Sequence, residues 1–234
     1  MLSGEKDITA VTFDLWGTLI TNNEEGIIST KSQEMYDFFQ SINCLIPYQS
    51  IKLSIELLIY KIRHVQRKKG RNLSNTEQIE ILLNVLDVKL NQNSHKETML
   101  NILQNDNSRF EIIEGVEKLL AELKQRGVRM ALICNTTLVP GKILSHNLQK
   151  RGLSNYFEVM IFSNEVKYAK PHKDIFLLAA DRLKVPITSI VHIGDDYFSD
   201  WIGANNAGAK GILLSKLKKH FNDKIAENIN DLSI

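Results

Sequence analysis

Cysteine is scarce in this chain. There are two in 234 residues, Cys44 and Cys134, far apart and outside any CxxC arrangement. The simplest expectation is a reduced, intracellular compartment, and the cytoplasm in particular. Net charge is nearly absent as well: 29 Lys and Arg against 27 Asp and Glu leave +2. That removes the case for nucleic acid or an anionic membrane as a main partner. No apolar run approaches the ~20 residues a membrane-spanning helix requires, and the opening MLSGEKDI lacks the apolar centre of a secretion signal. The six histidines (64, 95, 146, 172, 192, 220) have no paired metal-ligand spacing, which argues against zinc. Neither internal repeats nor low-complexity tracts occur. Between residues 29 and 107 glycine and proline almost vanish, with Pro47 and Gly70 as the exceptions.

What is present is an ordinary globular composition, 43% hydrophobic and 24% charged, enough for one large domain or two small ones. Residues 8–14 read as a strand ending at Asp14. The region poor in glycine and proline reads as helical. Residues 29–41 and 94–105 give weaker helices. Apolar residues at 51, 53, 55, 58, 59, 62 and 65 mostly fit a helical stripe and mark a long helix with a basic tail that stops at Gly70. Residues 76–91 form another helix, capped by Ser74 or Asn75, with Ile79, Leu82, Leu83, Leu86 and Leu90 on one side. From Glu114 onward strands and helices alternate: strands at 128–135, 157–163, 189–196 and 210–215, with helices between them and a short one at 200–209. The charged tail from 217 reads as helical.

Such alternation predicts an α/β fold, a Rossmann-like parallel sheet with helices on both faces. The predicted core is 1–20 plus 110–234, and 21–109 is an all-helical cap inserted after the first strand. Connections after a strand are usually ~2–6 residues. An insert this long, leaving the carboxyl end of the Asp14 strand, stands over Asp14 and can exclude water from it.

Polar groups gather at four strand ends. The first carries Asp14, Gly17 and Thr18; the second Cys134, Asn135, Thr136 and Thr137. Lys167 and Lys170 follow the third. The fourth has Gly194, Asp195 and Asp196, with Asp200 five residues beyond Asp195. Ligands of open parallel sheets bind at the carboxyl ends of the strands, and an Asp at such an end is a candidate nucleophile. Several carboxylates crowded together raise one another's pKa. A hard divalent cation such as Mg²⁺ relieves that repulsion, and a lysine balances the remaining charge. An Asp nucleophile, a Mg²⁺ site and a cationic clamp together suit phosphoryl transfer on a small anionic substrate.

DLWGTL at 14–19, a small polar residue plus Asn at 134–135, KP at 170–171 and GDDYFSD at 194–200 occur in an order that resembles the haloacid dehalogenase-like hydrolases, across the whole chain. The resemblance implies an aspartyl intermediate on Asp14. It also implies Mg²⁺ held by Asp14, the backbone carbonyl of Trp16 and Asp195, with Asp200 supporting. Lys170 would steady the nucleophile, and Asn135 or Thr136 would hold the oxygens of the transferred group. The helical insert matches the family's smaller helical cap type.

Two positions depart from that pattern. Phosphatases of the family usually carry a second Asp, the general acid and base, where this chain has Trp16. The readings left open are a substrate with a good leaving group, such as an acyl or aryl phosphate, a proton delivered by the cap, or a different reaction. The dehalogenases have an aromatic residue there and need no acid, but they usually lack the fourth-loop aspartates present here. A phosphatase is therefore favoured over a 2-haloacid dehalogenase, with a non-catalytic binding protein as the remaining alternative. Cys134 stands where Ser or Thr is usual; as a thiol it is a poor phosphate donor, which leaves Thr136 or the backbone to take over. Trp16, Thr18 and Cys134 are candidate substrate contacts, with packing against the cap as the other reading of Trp16, and Asp196 is a further metal-site candidate or only a helix cap. The basic run Arg63, His64, Arg67, Lys68, Lys69 and Arg71 reads as a solvated helix end favoured by its dipole, with a substrate clamp as the other reading. Trp201, Tyr168 and His172 read as packing. A monomer or homodimer is expected.

Overall fold

The protein's computed structural model describes residues 8–21, 24–105 and 110–214, and the backbone of 225–226. Strand β1 (Ala10–Phe13) is buried along its whole length and lies in the middle of the sheet. Its neighbours are β2 (Arg129–Cys134) on one side and β4 (Ile190–Gly194) on the other, both parallel. Outside β2 lies β3 (Val159–Phe162), and outside β4 lie β5 (Lys210–Leu214) and the two-residue β6 (Ile225–Ala226). The order is therefore β3-β2-β1-β4-β5-β6. Strands after β1 build outward to one edge and then, from β4, to the other. The order reverses beside β1, and that is where an open α/β sheet forms its ligand crevice. Phe13 is in register with Leu132 and Ile193, so the chain leaves β1 at Asp14 with the ends of β2 and β4 alongside.

Helices cover both faces. Helices α5 (Val116–Gln125) and α6 (Gly141–Lys150) bury Leu119, Leu120, Leu123, Leu144 and Leu148 against one side of the strands. Helices α7 (Lys173–Leu183) and α8 (Gly203–Ala207) bury Ile175, Phe176, Ala179 and Ala204 against the other. The strand alternation that sends Val11 and Phe13 into the first layer sends Ala10 into the second.

Helices α1 (Glu24–Ser41), α2 (Tyr48–Lys69), α3 (Asn75–Leu86) and α4 (Asn93–Gln104) separate β1 from α5. The buried side of α2 is a 3–4 residue repeat of Ile51, Ile55, Leu58, Ile59, Ile62 and Val65. These residues join Met35, Phe39, Leu82, Met99 and Leu103 in a hydrophobic cluster of their own. The two chain segments joining these helices to the sheet run together: Thr21 donates its N–H to the Glu111 carbonyl at 2.8 Å, and Ile113 donates to Leu19 at 3.0 Å.

Several local expectations meet a physical limit. Ser74 caps α3 with a reciprocal capping box to Glu77. The helix then stops at Leu86 rather than 91, because Asp87 adopts φ +52° and turns the chain left-handed, so Leu90 lies outside it. Residues 197–202, between β4 and α8, form a wide π-helical turn, Tyr197–Ile202, instead of the start of an α-helix. Asp196 caps it, taking the N–H groups of Phe198 and Ser199. The charged tail, expected to be helical, lies outside the described residues apart from 225–226, which pair with β5 as a strand instead.

Candidate active site

Asp14 follows the last residue of β1, and its N–H donates to the Ile193 carbonyl of β4 at 2.9 Å. Lys170 reaches it from the loop between β3 and α7. Lys170 Nζ lies 2.6 Å from Asp14 Oδ1 and 2.6 Å from Asp200 Oδ1, and the lysine is only 1% exposed. Asn135, just past β2, holds that loop. Its Nδ2 donates to the Lys170 carbonyl and its Oδ1 accepts from the Lys170 N–H, both at 2.8 Å.

Beneath Asp200 lies a polar column that the sequence reading did not pick out. Thr12 Oγ1 is 2.8 Å from His192 Nδ1, and His192 Nε2 is 3.1 Å from Asp200 Oδ1. A carboxylate only accepts, so Nε2 carries the proton and Nδ1 accepts from Thr12. Burial holds the His192 pKa below its ordinary value against the pull of Asp200, so the ring is neutral. The signal was a lone histidine in an apolar strand, and it says nothing of the partners.

Burial sets the charge states. It pushes the Asp14 carboxyl up to about 7, because the lowering effect of Lys170 is offset by Asp200 and Asp195. Asp195 is raised in the same direction, first by desolvation and then by Asp200. Asp200 goes the other way. Burial would raise it, but Lys170 and His192 more than compensate, and its Oδ2 also accepts the Asp196 N–H at 2.9 Å. Lys170 is pulled above its normal range, the two carboxylates outweighing the cost of burial. Asp200 thus keeps its charge, and Asp14 carries the penalty of sharing one lysine.

Asp14, Asp195 and Asp200 each place a carboxylate oxygen within 4.8 Å of the other two. The Trp16–Gly17 backbone crosses directly against Asp195: a Cβ on Gly17 would sit 2.2 Å from Asp195 Oδ2, and φ is +75°. Gly194 is needed for a similar reason, since its Cβ would fall 2.2 Å from Asp200 Cγ. Three hard oxygen donors with raised proton affinity on two of them suit Mg²⁺. Asp200 has both oxygens already engaged, so Asp14 and Asp195 would hold the ion and Asp200 would support them.

The cavity above this cluster has a volume of about 320 Å³. Asp14, Trp16, Asn135, Lys170, Asp195, Asp196 and Asp200 line it. Trp16 packs edge-on against Phe110, ring centroids 6.3 Å apart.

Three expected substrate contacts lie elsewhere. Thr18 is fully buried, and its Oγ1 has no hydrogen-bond partner among the described residues. Cys134 faces the core formed by α5 and α6, and burial, followed by the Asp14 charge, keeps its thiol protonated. Thr136 is 1% exposed, with Oγ1 engaged by Asn72, Ser163 and Asn164. The neighbouring Thr137 lines the cavity instead. Asp196, expected with the metal, spends Oδ1 on capping the π-helical turn and Oδ2 on Arg67, 2.5 Å from Arg67 Nη2.

The helical insert supplies much of the wall. Glu24, Ile27, Ile59, Arg63, Gln66 and Arg67 line the cavity, so part of the basic run expected to be solvated faces the site. Gln66 Nε2 donates to the Thr136 carbonyl at 2.7 Å and to Asn72 Oδ1 at 3.0 Å. The Gly70 carbonyl accepts from Ala169 N at 2.7 Å, and Gly70 packs on His172. His172, read as packing, also accepts the Asp174 N–H at the start of α7. Trp201 stacks on Tyr197 at 5.2 Å, as packing predicts.

Comparison with known proteins adds four findings. The family pattern of the haloacid dehalogenase-like hydrolases matches residues 8–208. A haloacid dehalogenase-like hydrolase domain-containing protein 3 of Xenopus laevis is 32% identical over 103 residues, 44% of this chain and 41% of that protein, so the chain spans less than half the length of that relative. The 5-amino-6-(5-phospho-D-ribitylamino)uracil phosphatase YigB of Escherichia coli (strain K12) is 27% identical over 206 residues, 86% of this chain and 81% of the relative. Among solved structures, an HAD phosphatase from Thermococcus onnurineus (TM-score 0.63, 21% identity, 93% and 91% of the two chains) and a 2-haloacid dehalogenase from Pseudomonas syringae pv. Tomato DC3000 (TM-score 0.63, 20% identity, 94% of each chain) share the fold. One architecture thus carries both chemistries, and the site must separate them.

Proposed function

The chain belongs to the haloacid dehalogenase-like hydrolases, and from that premise we propose that this hydrolase is a Mg²⁺-dependent phosphatase of a small phosphorylated molecule, working through Asp14. The observation that carries the reading is the pairing of Asp14 with Asp195 and Asp200 within 4.8 Å, beside a buried lysine. A cluster so negative calls for a divalent cation, whereas displacement of a halide needs none. The phosphatase name of the Escherichia coli relative supports the same choice.

In this reading Asp14 attacks phosphorus with the carboxylate oxygen left over from Lys170. The bond from phosphorus to the leaving oxygen breaks as that oxygen departs as an anion. Water then cleaves the aspartyl phosphate, releasing phosphate and restoring Asp14. Lys170 fixes that carboxylate in rotation and, with Asn135 holding its loop, keeps the nucleophile from swinging out of line. Bound Mg²⁺ would supply charge neutralisation at the transferred oxygens. The insert helices shield the site from bulk solvent. Trp16 offers no proton to the leaving oxygen. The reading therefore favours acyl and aryl phosphates, whose leaving groups depart unprotonated.

An aryl phosphate assayed with and without Mg²⁺, beside Asp14→Asn, tests it. Turnover should require the metal and vanish in the variant; turnover that survives the substitution overturns the assignment. The aromatic wall at Trp16 favours one second reading, 2-haloacid dehalogenation. Halide release from 2-chloropropionate without added metal would establish it in place of the first.

A further inference from the structure

Two arginines of the insert face the cavity without a part in the chemistry above. Arg63 and Arg67 lie four residues apart on α2 and so share one face. Both line the cavity that holds Asp14. Lys170, the other cation among the described residues of that wall, is buried and engaged by Asp14 and Asp200. The arginine side chains are 44% and 49% exposed, open to an incoming ligand. Each is held in place by a carboxylate of the same wall, Arg63 by Glu24 and Arg67 by Asp196. Arg67 also sits 5.9 Å above the Phe198 ring, which helps to fix its direction.

Among the described residues of that wall, five carboxylates (Asp14, Glu24, Asp195, Asp196 and Asp200) face these three cations. A divalent ion at Asp14 and Asp195 would offset the excess and serve the group being transferred. It leaves the two guanidinium groups for something else. We propose that Arg63 and Arg67 form a subsite for a second anionic group, carboxylate or phosphate, carried on the same small phosphomonoester. The proposal rests on the phosphatase reading. A guanidinium presents a planar fork of donors that matches either group. Exposed ion pairs are weak, so exchanging Glu24 and Asp196 for ligand oxygens costs little. Glu24 and Asp196 line the same cavity, so they hold both guanidinium groups beside it. The cavity is at the small end of ligand sites, which sets the two anionic ends of the substrate only a few atoms apart.

Calorimetric titration of the wild-type protein at fixed free Mg²⁺ tests this. The ligands are phosphonocarboxylates and bisphosphonates of about two to five carbons, each against the alkylphosphonate of equal length. None carries a phosphate ester, so binding is read whether or not turnover occurs. At least one doubly anionic ligand should bind about tenfold or more tightly than its alkyl partner, the scale of a charge-assisted hydrogen bond. Arg63→Gln/Arg67→Gln should erase that advantage. Arg63→Lys/Arg67→Lys should keep part of it, since charge is retained and the fork is lost. Should the double Gln variant not fold by circular dichroism, each single Gln variant should lose part of the advantage. Which ligand series gains more identifies the second group as carboxylate or phosphate. Equal binding of every pair by the wild type, or an advantage that survives the Gln substitutions, overturns the subsite. Failure of aryl phosphate turnover overturns the phosphatase reading instead, and the two failures are read separately.

Discussion

Lys170 is the residue on which the site's charge balance turns. It is buried between Asp14 and Asp200, and removing one partner of a buried ion pair leaves the others uncompensated. Lys170→Met is therefore expected to lower unfolding stability by about 3–5 kcal/mol, measured by urea denaturation, as well as stopping turnover. With Mg²⁺ held as proposed, the raised Asp14 and Asp195 carboxyls would make its binding depend on pH. Mg²⁺ binds the deprotonated acids, and burial pushes the Asp14 carboxyl up to about 7. Lowering the pH through that value protonates the site, so affinity is full well above it and declines below it, by roughly tenfold per pH unit for each proton displaced. Calorimetry at pH 8 and pH 6 checks the sign. Trp16→Asp places a general acid where the chain has none. Alkyl phosphate turnover should rise relative to aryl phosphate, with ~10²-fold as the lower end of what a positioned acid contributes; unchanged selectivity would mean that proton delivery is not the limit.

At the scale of elements, the end of α2 joins the insert to the core. Gln66 and Asn72 reach the Thr136 carbonyl, and the Gly70 carbonyl takes the Ala169 N–H. The loops after β2 and β3, which carry Asn135 and Lys170, are thereby tied to the helices above them. Gly70 has φ +61°, and a Cβ there would lie 2.5 Å from His172. Gly70→Ala combines backbone strain with a clash. It should cost about 1–3 kcal/mol, and hydrogen exchange should quicken at the end of α2 and in the loop that holds Lys170. Exchange that quickens at α2 alone would show that the junction does not tie the two together.

Across the whole molecule the hydrophobic residues fall into separate clusters. One lies within α1–α4, and two lie on either face of the sheet. Leu138, from the loop after β2, is the core residue that packs into the helical cluster. Ile55→Ala, deep in that cluster, should cost about 2–5 kcal/mol. Its effect on hydrogen exchange should fall on α1–α4 and leave β1, β2 and β4 near wild-type rates. Equal acceleration in the strands would mean that helices and sheet unfold as one unit. No described helix is long and apolar enough to cross a membrane.

The order of strands and helices was readable in the chain because helical and strand periodicity are local. The polar strand ends at Asp14 and Asp195 were readable too, because polar residues that interrupt an apolar strand mark its end, and parallel strands bring their ends together. Lys170, well beyond the end of β3, stood beside Lys167 there and was singled out by the family resemblance. Beyond the strand end, residue type no longer says where a side chain points. Thr136 turns inward because Asn72, Ser163 and Asn164 hold it, and its neighbour Thr137 faces the cavity. Arg63 and Arg67 read as a solvated helix end until tertiary structure brought Glu24 and Asp196 opposite them, the latter from 129 residues away. Those partners are distant in sequence and carry no common period, so only the folded chain decides which polar residues meet a ligand.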